Sequence, residues 1–120
     1  MLRVWRWFAF VRLGLARQPL PEFVASLGRP PRPARDRHPA GRLSRAVDRS
    51  LGFAGGQATC LVRALVLYRL LREQGDPAEV VIGLPPRAQQ PRAHAWVELC
   101  GLDVGPPPGR GHHIPLARFG

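Results

Sequence analysis

The sequence predicts an α+β fold in which helices come first and a small antiparallel sheet follows. Three observations carry that reading. Apolar residues recur at spacings of three and four from the N-terminus to about residue 74, the period of a helix face. After Gly75-Asp76-Pro77 the pattern changes to short β-branched or alternating runs, the pattern of strands. Turn residues separate those runs closely enough for antiparallel neighbours rather than helical crossovers. At 120 residues the chain is a single domain. It reads as an N-terminal helical region over 1–51, with a Pro/Arg-rich connector at 28–41, followed by a core over 52–120.

Val4, Trp7, Phe8, Val11 and Leu15 predict a helix over 3–16. Its plain reading is a helix packed on the domain. Its sharper reading is a membrane-surface or partner-binding helix, because Arg3, Arg6, Arg12 and Arg17 accompany the aromatic residues. Pro19-Leu20-Pro21 ends it, and 22–27 predicts a short second helix. The run from Gly28 to Gly41 reads as a solvated connector; with no aromatic to stack on bases, it is a poor nucleic-acid arm. Leu43, Ala46, Val47 and Leu51 predict a third helix over 42–51.

Gly52, Gly55 and Gly56 then precede Gln57-Ala58-Thr59-Cys60. From Leu61 to Gln74 there is neither Gly nor Pro, and apolar residues lie on every side, which predicts a central, buried helix stopped by Gly75. Ala78 to Leu84 predicts a buried strand, and 85–92 a turn-rich loop. His94 to Leu99 predicts a second strand, Cys100-Gly101 a hairpin tip, and 102–104 a short returning strand. The stretch that follows, with Pro106-Pro107-Pro108-Gly109, His112 and His113, reads as irregular.

All 18 basic residues are arginine, against 8 acidic ones, for a formal net charge of +10. Arginine without lysine, alongside abundant Ala, Gly and Pro, reflects GC-rich coding more simply than function. The charge still draws acidic partners. Two cysteines make no disulfide framework, and no CxxC or HxxxH pair suggests zinc, so neither a metal nor a cofactor is expected. Arg6 and Arg12 interrupt the N-terminal apolar run, so neither a signal-peptide core nor a bilayer span is expected, and a cytoplasmic location follows as the expectation. Membrane association has only the first helix behind it.

The candidate chemistry lies in Cys60 and His94. A cysteine in the first turn of a long helix meets aligned peptide dipoles and unpaired N–H groups that favour its thiolate. An imidazole on a later strand is the usual proton acceptor for such a thiol. Taken alone, Cys60 reads as a small buried hydrophobe and His94 as a satisfied strand histidine. Their combination with Asp103, on the returning strand where antiparallel pairing can set it beside His94, makes a Cys–His–Asp relay available. The Cys60 N–H and Gln57 are candidate oxyanion donors, and Trp96 a candidate substrate contact. Cys100 reads as a bystander, though a bond to Cys60 would abolish thiol chemistry.

The string CLVRALVLYRLLREQGDPAEVVIGL, followed by AHAWVEL, resembles the small stand-alone transglutaminase-like cysteine proteases of lasso-peptide biosynthesis, most densely over residues 57–104. The resemblance implies a papain-like core with Cys60 as nucleophile, His94 as base and Asp103 as orienting acid. It implies a leader peptidase acting on a ribosomally made precursor peptide, served by a small leader-recognition protein and followed by an ATP-dependent cyclase. The basic surface and first helix are candidate contacts for those partners. In that family the segment between the His strand and the acid is commonly longer, so Asp103 departs from the pattern. Two other readings stand beside this one: a transglutaminase-like acyl or amide transferase, and a non-catalytic Arg-rich binding module for nucleic acid or acidic lipid. No nucleic-acid reading element supports the last.

Overall fold

A computed structural model describes residues 2–29, 38–52, 60–84, 94–105 and 114–119; for Leu2, Arg3, Cys60, Leu84, His94 and residues 114–116 the description is of the backbone alone. The fold is mixed α+β. Four helices, α1 (Leu2–Arg17), α2 (Leu20–Leu27), α3 (Ala40–Gly52) and α4 (Cys60–Glu73), precede β1 (Ala78–Leu84), β2 (His94–Leu99), β3 (Leu102–Gly105) and β4 (Ile114–Phe119). The strands form one antiparallel sheet in the order β3-β2-β1-β4.

Val4, Trp7, Phe8 and Val11 are buried, as the period of α1 requires. Pro19 and Pro21 both end α1 and begin α2, because a helix's first turn has no use for the missing N–H. Helix α2 therefore starts at Leu20, two residues before the expected 22, and buries Phe23, Val24 and Leu27. Gly14 of α1 sits directly against the Phe23 ring, in space that a Cβ would occupy. Leu43, Val47 and Leu51 bury one stripe of α3.

Helix α4 is the spine of the core, with every residue from Ala64 to Leu71 buried. One of these is charged. Arg69 donates to the Leu27 carbonyl at 3.0 Å, lies 4.3 Å over the Trp7 ring and pairs with Glu73 at 3.9 Å. It thus ties three helices together while keeping its charge matched. The helix closes in a Schellman motif: Asp76 N–H donates to Leu71 O, Gly75 N–H donates to Arg72 O, and Gly75 takes φ +89°. Gln74, just past the helix, exchanges two hydrogen bonds with the His38 backbone and pins the end of the connector there. Residues 30–37, most of that connector, lie outside the described residues.

Alternation splits the sheet into two faces. Ala78, Val80, Ala95 and Val97 are buried against the helices, with Ile82, Leu99, Val104 and Phe119 partly buried beside them. Glu79, Val81, Trp96, Glu98 and Arg118 alternate to the other face. The fourth strand is a correction to the sequence reading. Ile114–Phe119 pairs with β1, making β1 central, and Pro115 fits because β4 is an edge strand with one side free of the ladder.

Candidate active site

Cys60 opens α4 and His94 opens β2. Their proximity follows from chain direction. Helix α4 runs into β1 through a four-residue turn, so the two elements are antiparallel, and β2 runs antiparallel to β1. Fourteen helical residues and seven strand residues each span roughly 20 Å. The first residue of α4 therefore returns to the end of β1, where Gly83 pairs with His94. The fold thus brings the backbones of Cys60 and His94 to one end of the helix–sheet sandwich. The first turn of a helix in general leaves backbone N–H groups unpaired, and such groups favour a thiolate over a thiol.

Asp103 is placed differently. The two-residue turn Cys100-Gly101, with φ +53° and +81°, is of type I′ and sets Leu99 opposite Leu102 and Glu98 opposite Asp103. Asp103 is therefore four positions from His94, about 13 Å along β2. Its Oδ1 accepts the Gly105 N–H at 2.9 Å, which supports the bulge where pairing shifts between Val97 and Glu98. The expected pairing of Asp103 beside His94 does not occur in this register. Cys100 lies at the hairpin tip, exposed and free, at the opposite end of β2 from His94. By the same lengths it is some 20 Å from Cys60, far beyond disulfide reach. Gln57 lies outside the described residues, as do His112 and His113.

Glu98 is a feature the sequence reading passed over. It is 9% exposed and accepts two hydrogen bonds, from Trp96 Nε1 at 2.9 Å and from Arg118 Nη1 at 2.6 Å. Burial opposes ionisation of this carboxyl, but the bonds from Arg118 and Trp96 outweigh it and hold Glu98 below the usual carboxylate range. The Trp96 ring is thereby fixed on the face away from the helices, two residues from His94, with its one N–H committed to Glu98. The i, i+2 spacing of Trp96 and Glu98 on an alternating strand is the sequence signal for this contact. Arg118 gave none, because β4 was not expected.

Among the described residues no three of His, Cys, Asp and Glu converge as metal ligands, and no helix is long and apolar enough to cross a membrane. No curated protein and no solved structure matches the chain at a significant level. The family model of the transglutaminase-like superfamily matches residues 2–113, which spans every helix and the first three strands. That superfamily includes cysteine peptidases and transferases, and its members are typically cysteine-dependent enzymes. With a cysteine heading the central helix and a histidine heading the facing strand, this chain belongs to the transglutaminase-like superfamily.

Proposed function

We propose that the protein is a cysteine peptidase that removes the leader from a lasso-peptide precursor. The observation that carries the thiol chemistry is the placement of Cys60 and His94 at the same end of the α4–β2 pair. The narrower substrate assignment rests on the resemblance of the Cys60 helix and the AHAWVEL strand. In this reading His94 takes the proton of Cys60, and the thiolate attacks the scissile carbonyl. The oxyanion is met by the Cys60 N–H, with Gln57 as second donor. Collapse expels the amine, which His94 protonates, and leaves a thioester. Water, deprotonated by His94, hydrolyses the thioester and restores the thiol. Trp96, buried on the far face of the sheet with its N–H held by Glu98, steadies β2 two residues from His94. Asp103, four positions from His94 along β2, is too far to orient the imidazole and reaches it only through a weak, screened field. A small leader-recognition protein presents the precursor, and the freed core passes to an ATP-dependent cyclase.

The test is mass analysis of a precursor incubated with the protein and its leader-recognition partner. Wild type is expected to release the intact leader, and Cys60→Ala and His94→Ala are each expected to abolish release. Cleavage retained in Cys60→Ala overturns the mechanism. An adduct formed with an added primary amine, in place of hydrolysis, assigns the chain to the transferases of its superfamily instead.

A further inference from the structure

Helix α1 is apolar on two sides, and the fold uses only one. With each residue advancing about 100°, Val4, Trp7, Phe8 and Val11 form the stripe packed in the core. Roughly opposite, Trp5, Ala9, Leu13 and Ala16 form a second, outward ridge about 80° wide. Trp5 is 41% exposed and Leu13 52%, and Ala9 and Ala16 are exposed between them. Arg12 borders the ridge on one side and Arg6 and Arg17 on the other, all three exposed. Arg6 and Arg12 lay their guanidinium groups 5.5 Å from the Trp7 ring and 5.8 Å from the Phe8 ring, so their stems run along the helix flank. Helix α1 contains no acidic residue, and α2 contributes only Glu22.

We infer that this ridge docks α1 flat on an anionic lipid surface. Charge complementarity selects the occupant: cations line both sides of an apolar strip, and no carboxylate on α1 repels a negative surface. The side chains suit the location. A Trp with its N–H at the water boundary and arginines whose stems lie in apolar surroundings while their heads stay wet are the residues found where a helix meets headgroups. The strip is open and one helix wide, with a shallow depression at Ala9, Leu13 and Ala16, and a fluid interface conforms to such relief. A protein helix would need carboxylates on both of its own flanks to match. The helix is 16 residues long and does not span a bilayer; it lies along it.

The test is flotation of the full chain with vesicles of phosphatidylcholine containing 30% phosphatidylglycerol (about a third anionic lipid), against pure phosphatidylcholine vesicles. Binding is expected only with the anionic vesicles and should weaken as salt is raised. Replacing Arg6, Arg12 and Arg17 by Gln is expected to cost about fivefold per residue, roughly a hundredfold together. Ala9→Glu with Ala16→Glu keeps good helix formers at exposed sites and is expected to abolish binding without changing the melting temperature. Absence of binding by folded wild type at low salt overturns the proposal. So does binding that the Glu pair or Trp5→Ser/Leu13→Ser leaves intact, which marks plain adsorption of a basic protein. A dimer dissolved by the Glu pair, with no vesicle binding, assigns the ridge to a second copy and also overturns it.

Discussion

Glu98→Gln probes the one buried carboxylate among the described residues of the sheet's far face. Glutamine keeps the shape but can offer one oxygen to the two donors that Glu98 now satisfies, Trp96 Nε1 and Arg118 Nη1. Its amide N–H₂ then faces the other donor. A hydrogen bond to a buried charged acceptor contributes about 1.5–3 kcal/mol, and the Trp96 arm falls in that class. The Arg118 arm is worth less, since that side chain is 46% exposed and solvent screens it. A loss of about 2 kcal/mol follows. For 120 residues an unfolding entropy of about 0.25 kcal/mol/K turns that into a Tm lower by roughly 8 °C at pH 7. The pH dependence gives a second reading. The carboxyl is held below its ordinary value in the folded chain, so its contribution is complete above the unfolded value of about 4.3 and is lost as pH falls through the folded one. Paired thermal melts by circular dichroism should therefore show the gap intact from pH 7 to 5 and closing below about pH 4. A Tm within 2 °C (about 0.5 kcal/mol) of wild type at pH 7, or a gap that persists to pH 2.5, about two units below the ordinary value, refutes the argument.

Gly14→Ala should lower stability by about 1–2 kcal/mol despite the better helix former, because the new Cβ meets the buried Phe23 ring; a melt with unchanged or higher Tm contradicts this. Cys100→Asn should raise Tm by about 2–4 °C, since φ +53° strains cysteine while Asn-Gly is the preferred type I′ pair. Asp103→Asn retains the acceptor for the Gly105 N–H and should leave Tm unchanged. Its kcat/KM should fall by less than about tenfold, given the distance from His94; a loss on the order of 10⁴-fold, as for a directly bonded acid, would contradict the register argument.

The helices were legible because their apolar periods are long and their punctuation is chemical: Pro at the α1–α2 junction and Gly after α4 leave the backbone few alternatives. Strands β1 and β2 were legible for the same reason, and with them the placement of the Cys60 and His94 backbones at one end of the helix–sheet pair, which depends only on direction and length. The Asp103 register was also within reach. A hairpin tip at Cys100-Gly101 already forces Glu98 to face Asp103, so the expectation of Asp103 beside His94 conflicted with the turn predicted next to it. Strand β4 was not legible. Six residues with a proline among them carry little period, and its place in the sheet is decided by a partner 30 to 39 residues earlier, from Leu84–Ile114 to Val80–Phe119.

That late partner has a consequence for how the protein is made. Strand β1 leaves the ribosome well before Ile114–Phe119, and until then Val80, Val81 and Ile82 offer a row of unpaired backbone groups on an apolar strand. β2 can close one side early through a local hairpin, but the other stays open. The nascent chain therefore passes through a stage at which its stickiest segment is half-covered. A truncation before Ile114 would make that stage permanent, and such a chain should aggregate even though every helix and both positions of the Cys60–His94 pair are present.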